Sequence, residues 1–167
     1  TQMPRSAFRK KLLAMLARGP TVGALMDLCE GNFLMLARLV PDLTRMAGAY
    51  VSCPVGAAPL QLEVLEHTPY TSLVRLTHLF GHDASREPDP DARLRIYHDA
   101  RQAEVIDLRQ SVLPLHGMYD APGLVQKWRA NHFAWRWLQF CLAQGHDFRL
   151  SEHLARGARD LTAPLTA

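Results

Sequence analysis

Between Tyr50 and Leu108 the chain holds five short stretches rich in β-forming residues, joined by links too short to carry a crossover helix. They are Tyr50–Val55, Leu60–Glu66, Tyr70–Phe80, Ala92–His98 and Ala103–Leu108. Parallel neighbours need a connection of about a dozen residues or more, whereas antiparallel neighbours need only a turn. Gly56-Ala57-Ala58-Pro59 and His67-Thr68-Pro69 are hairpin-length links rich in turn formers. This spacing predicts an antiparallel meander. Leu60, Leu62 and Val64 alternate with Gln61 and Glu63, the pattern of a sheet with one wet face. Gly81–Asp91, with two prolines and four acids, reads as a longer polar loop.

Helical periodicity brackets this region. Phe8, Leu12, Leu13 and Leu16 predict a short amphipathic helix over residues 5–18, ended by Gly19-Pro20. Thr21 is placed to cap a second helix running to about Val40, with Leu25, Leu28, Cys29, Asn32, Leu36 and Leu39 on one face and Pro41 beyond. After a less regular stretch, Gln110–Pro122, a long helix is expected over about Gly123–Gln144. Its stripe is Leu124, Trp128, Asn131, Trp135, Leu138 and Leu142, and Gly145 suits its C-terminal end. The fold class that follows is α+β: an antiparallel sheet of about five strands packed against N-terminal helices and one long C-terminal helix. Trp135, Leu138 and Leu142 are expected to pack on the sheet's apolar face.

A length of 167 residues with 48% hydrophobic and 21% charged residues suits one domain with a real core. Three cysteines without a CxxC pair point to a reducing compartment, and the cytoplasm is expected. No run approaches the roughly 18 apolar residues of a membrane span. Charge is uneven. Residues 1–18 hold Arg5, Arg9, Lys10, Lys11 and Arg18 and no acid, which leaves 14 of the 19 basic residues against all 16 acids elsewhere. Such a basic arm can meet an acidic protein surface, phosphate or an anionic membrane, or serve as a solvated helix face.

Four separated segments resemble the YqiB-like proteins, a bacterial family of unknown function. The first is Leu28-Cys29-Glu30-Gly31-Asn32-Phe33 with Arg38 and Pro41. The second is Tyr70-Thr71-Ser72-Leu73-Val74, and the third is Arg95-Ile96-Tyr97-His98-Asp99-Ala100 with Ala103-Glu104-Val105. The fourth is Tyr119-Asp120-Ala121-Pro122, followed by Lys127, Asn131, Phe133, Trp137-Leu138 and Cys141–Gly145. The resemblance implies a small cytoplasmic protein over residues 21–148, with residues 1–20 as a basic helical extension and 149–167 as a C-terminal one. It supplies no catalytic residues.

Chemistry must therefore be sought in the residues themselves. His98, Asp99, His116 and Asp120 form the set able to do acid–base work or hold zinc. No HExxH, close histidine pair on a helix, P-loop, GxGxxG or GxSxG accompanies them, and no cofactor or metal is expected. The structural alternative has Asp99 bonding backbone N–H groups or an arginine to fix the Ala92–Leu108 hairpin. Asn32 and Asn131 lie on the apolar stripes of two helices, where buried amides need partners. They are expected to bond each other, cap nearby strand ends, or face Arg38 or the Tyr97-His98 corner, as a polar latch or a ligand pocket. Trp137 with Arg129 and Arg136 offers a surface for stacking RNA bases or docking a partner, while Trp128 and Trp135 share the core stripe. The leading expectation is a binding or adaptor domain with a protein partner, reached through Arg5, Arg9, Lys10, Lys11 and Trp137. An enzyme using the His98 set and an RNA- or DNA-binding protein are the rivals.

Overall fold

The computed structural model describes residues 19–80, 87–110 and 123–151, together with Lys10, Leu13, Ala14 and Ala17. Helix α1 spans Val22–Leu39, a 3-10 turn follows at Leu43–Arg45, and strands β1 to β5 cover Gly48–Ser52, Leu60–His67, Thr71–Phe80, Glu87–Tyr97 and Gln102–Arg109. Helix α2, Leu124–Ala143, completes the order. The five strands form one antiparallel sheet in sequence order. The fold is α+β, with the meander the short links require.

Local chemistry sets the helix ends. The Thr21 hydroxyl accepts the Ala24 N–H at 3.1 Å, satisfying one of the orphan donors of the first turn. Past α2, Gly145 takes φ +85 and its N–H returns to the Leu142 carbonyl. A side chain is strained in that left-handed conformation, which is why glycine sits there.

Period-two alternation assigns the sheet faces. Leu60, Leu62, Val74, Leu76, Leu94, Ile96, Ala103 and Val105 point inward and are buried with Leu28, Leu36, Leu39, Leu138 and Phe148. Gln61, Glu63, Arg75 and Thr77 point the other way and line a shallow groove with Leu79 and Pro88. Trp135 and Leu138 are buried as expected, and Leu142 is partly buried against the core.

Strand β4 begins at Glu87 rather than Ala92, so part of the acidic stretch read as a loop is sheet. The reason is on the outer face. Asp91 accepts two hydrogen bonds from Arg75, at 2.8 and 2.7 Å, and one from Thr77 at 3.1 Å. The Arg75 guanidinium holds its carboxyl below the usual carboxylate range. Pro88 is accommodated beside an irregularity in the β3–β4 register between Thr77 and Leu79.

Candidate functional site

Two hairpin turns meet at one end of the sheet. In β3, Ser72 faces inward, pairs with His67 of β2 and Ile96 of β4, and has no exposed surface. Its hydroxyl oxygen lies 2.8 Å from His67 Nδ1 and 2.8 Å from His98 Nε2. His67 is exposed and His98 half-buried. Burial, then the neighbouring His67, lowers the pKa of His98, and Asp99 opposes both. Residues 98–101 form the β4–β5 turn, with Arg101 at φ +54 and its guanidinium 5.1 Å above the Phe33 ring of α1.

Asp99 itself is exposed, and no hydrogen bond ties it to the backbone or to an arginine among the described residues. The hairpin is closed by backbone pairing of Tyr97 with Gln102 and by Arg101 in the left-handed region, so the carboxylate is not the clasp the sequence suggested. His116 and Asp120 lie outside the described residues.

Asn32 and Asn131 do come together. Asn32 Nδ2 donates to Asn131 Oδ1 at 3.2 Å, and the same oxygen accepts the Val105 N–H at 3.0 Å. Asn131 Nδ2 donates to the Lys127 carbonyl at 2.8 Å, one turn earlier in its helix. Val105 belongs to β5, an edge strand, so this amide satisfies a backbone donor that no strand can reach. Lys127 adds an ion pair to Glu104 at 3.2 Å on the same strand. Arg38 is exposed and Tyr97 half-buried, and no hydrogen bond joins either to these amides among the described residues. Helical spacing puts Arg38 six residues beyond Asn32, on another side of α1.

Trp137, expected at the surface, is 6% exposed and donates its indole N–H to His78 Nδ1 at 2.8 Å. The buried arc of α2 is wider than the stripe of large residues. Ala130, Ala134 and Cys141 are small, and Trp137 lies on their side, three residues beyond Ala134 and four before Cys141. Its ring is not available to stack a base. Sequence reasoning missed this His78 contact, the His67–Ser72–His98 bridge and the docking of His146 Nδ1 on Ser52 Oγ at 3.0 Å. The bridge depends on strand register, and the other two contacts depend on how α2 and the turn after it dock on the sheet. The one local hint was that His67 and Ser72 flank the predicted turn and so must face each other.

Two chemistries are disfavoured by this environment. Burial, with help from Glu104, pushes the Cys29 thiol up to about 12, and burial does the same for Cys141, so neither supplies a thiolate nucleophile. Ser72 sits between two imidazoles, as an activated nucleophile would, yet its zero exposure leaves no path for a substrate carbonyl. No group of three or more His, Cys, Asp or Glu side chains is disposed to hold a metal among the described residues.

The His78 environment makes the fold acid-labile. Burial, with His146 adding to it, pushes the His78 imidazole down to about 4. Unfolded, the ring titrates near its ordinary 6.5, so below that pH the unfolded chain binds more protons and stability falls with pH. The loss is full below the folded value and amounts to about 3 kcal/mol by pH 4. His98, His132 and His146 are shifted in the same direction. Urea midpoints should decline steadily from about pH 6.5 downward. His78→Gln, which keeps an acceptor for the Trp137 N–H, should flatten that decline, and an unchanged slope would contradict the assignment.

The geometry can be set beside known proteins. Residues 35–147 match the model of a family described as Protein of unknown function (DUF1249). The uncharacterised protein YqiB of Escherichia coli strain K12 is 35% identical over 131 residues, covering 75% of this chain and 91% of its own. YqiB proteins of Escherichia coli O6:H1 and O157:H7 give the same figures. No solved structure matches. The family match spans β1 to β5 and α2, and carries both the Tyr97-His98-Asp99 corner and Asn131. With its segment order and its identity to these relatives, the chain belongs to the YqiB-like family of proteins of unknown function.

Proposed function

We propose that this chain is a cytoplasmic binding or adaptor domain whose partner is a protein. The observation that carries the reading is where the polar groups lie. Side chains able to do chemistry are interior and engaged with one another, as at Ser72, Asn131 and His78. The accessible polar groups are charges on the outer sheet face, such as Arg75, Arg93 and Asp107. The groove on that face holds about 190 Å³, below the roughly 300–1,000 Å³ of sites that enclose small molecules, so this face itself suits surface contact rather than an enclosed ligand. Cys29, Cys53 and Cys141 are all free thiols, in keeping with a reducing compartment. Among the described residues no helix is long and apolar enough to cross a membrane.

The basic segment supplies the electrostatic handle. Lys10 is exposed; Arg5, Arg9 and Lys11 lie outside the described residues. Five cations without an acid favour an acidic surface on the partner, with association that weakens as salt rises. The test is affinity capture by the full chain from lysate, with and without nuclease, beside the Arg9→Glu, Lys10→Glu, Lys11→Glu variant. A protein retained after nuclease, lost on charge reversal and released by moderate salt is the expected result. Loss on nuclease treatment would instead make the chain a nucleic-acid binder. Capture indifferent to charge reversal would move the interface away from this segment.

A further inference from the structure

We propose that Arg95, flanked by Leu73 and Tyr97 on the outer sheet face, receives a carboxylate side chain from a segment of a protein partner. The inference rests on the adaptor reading above and places one of its contacts. Leu94 and Ile96 are buried against the core, so Arg93, Arg95 and Tyr97 point to the opposite face. Leu73 stands directly across from Arg95 in the β3–β4 ladder, and Thr71 across from Tyr97. Arg95, Leu73 and Tyr97 are each half-buried.

The other arginines of this face each meet a carboxylate. Arg75 holds Asp91 at 2.7 Å, Arg93 holds Asp107 at 3.1 Å, and Arg109 lies 3.9 Å from Asp91. Arg95 makes no hydrogen bond or ion pair among the described residues. The carboxylate best placed for it belongs to Glu104, its partner in the β4–β5 ladder. Lys127 of α2 draws that carboxylate away, at 3.2 Å. Glu66 stands beyond Leu73, two strand spacings or about 9.5 Å from Arg95. A guanidinium fork matches a carboxylate through two parallel hydrogen bonds, and arginine and tyrosine recur among the residues that dominate protein interfaces. Charge on the rest of the face selects the class of partner. Glu63, Glu66, Asp91, Glu104 and Asp107 outnumber its four arginines, so a phosphate backbone laid along the strands would meet repulsion. A single carboxylate beside apolar side chains needs only Arg95 and the surfaces of Leu73 and Tyr97.

The full chain should be panned with a random peptide display library in about 0.15 M salt, where exposed charges more than roughly 8 Å apart are screened. The retained peptides should carry Asp or Glu beside an apolar residue. Arg95→Gln should weaken their binding at least about tenfold. Arg95→Lys, which keeps the charge and loses the fork, should weaken it less. Arg93→Gln, whose arginine is held by Asp107, should change it little. Arg95 bonds to no described residue, so circular dichroism should show Arg95→Gln folded. A shift of the Arg95 Nε–H resonance on adding a retained peptide reads the same contact in the unsubstituted chain. No retained peptide, peptides without an acid, or binding unchanged in Arg95→Gln overturns the inference. In that last case, loss of binding on charge reversal at Arg9, Lys10 and Lys11 would leave the adaptor reading standing, so the two fail separately.

Discussion

Replacing Asn131 with alanine is expected to remove about 3–5 kcal/mol of stability, a loss comparable to a large core truncation. The Val105 N–H loses its acceptor at 3.0 Å on a fully buried residue, and Asn32 Nδ2 loses its shorter bond at 3.2 Å. The Lys127 carbonyl also loses a donor. An orphaned buried polar group costs about 1–3 kcal/mol; the Val105 N–H becomes one, and the weakened hold on Asn32, left with its 3.4 Å bond to the Asn131 carbonyl, and the small cavity add to it. Against a typical domain stability of about 5–15 kcal/mol this is a large fraction. Asn32→Ala removes a donor rather than the hub, so it should cost less. In a double-mutant cycle the two losses should fall short of additivity, because both cut the same bond. Urea unfolding of the four proteins measures this. Independent, additive losses would mean the amides do not act together.

Trp135→Ala should cost about 3–5 kcal/mol, as large aromatic truncations in cores do. The ring is 7% exposed and belongs to the same core cluster as Leu28, Leu36 and Leu138. Its indole N–H is buried with no hydrogen-bond partner among the described residues, so the residue contributes there by volume and dispersion rather than by a hydrogen bond. Trp135→Phe, which keeps an aromatic ring and sheds the unpartnered N–H, should therefore recover most of the loss. Thermal or urea denaturation of both variants tests the pair. A cost below about 1 kcal/mol for the alanine variant would show that this face of α2 packs against little.

These two residues also show what the sequence makes legible. Trp135 is visible because seven-residue spacing from Trp128 repeats a helical stripe, and periodicity reports burial on one face. Asn131 is visible as a polar residue interrupting that stripe, and its meeting with Asn32 follows once the two helices pack. Its bond to Val105 needs the further fact that β5 is an edge strand, which only the assembled sheet supplies. Trp137 misleads for a related reason. A helix wedged between a sheet and a second helix buries two surfaces, and the second one here is marked by Ala130, Ala134 and Cys141, which carry little hydrophobic signal. Asp99 misleads because aspartate is so often a turn residue, whereas this turn is set by backbone pairing and by Arg101 at φ +54. The His67–Ser72–His98 bridge joins residues 26 positions apart and is invisible without strand register.

Among the described residues, Asn32, Asn131 and Trp137 are engaged in the fold's own hydrogen bonds, and the most exacting case is the sealed edge of β5. Native-state amide hydrogen exchange at Val105 tests it directly. An outward-facing amide on an open edge strand exchanges through small local fluctuations, while one held by a buried side chain exchanges only when the domain opens. The expected result is Val105 protection close to the global unfolding free energy in the wild-type chain, collapsing in Asn131→Ala under conditions where the variant remains folded. Rapid exchange at Val105 in the wild-type chain would contradict the account, because the edge would then be open and Asn131 free for some other work.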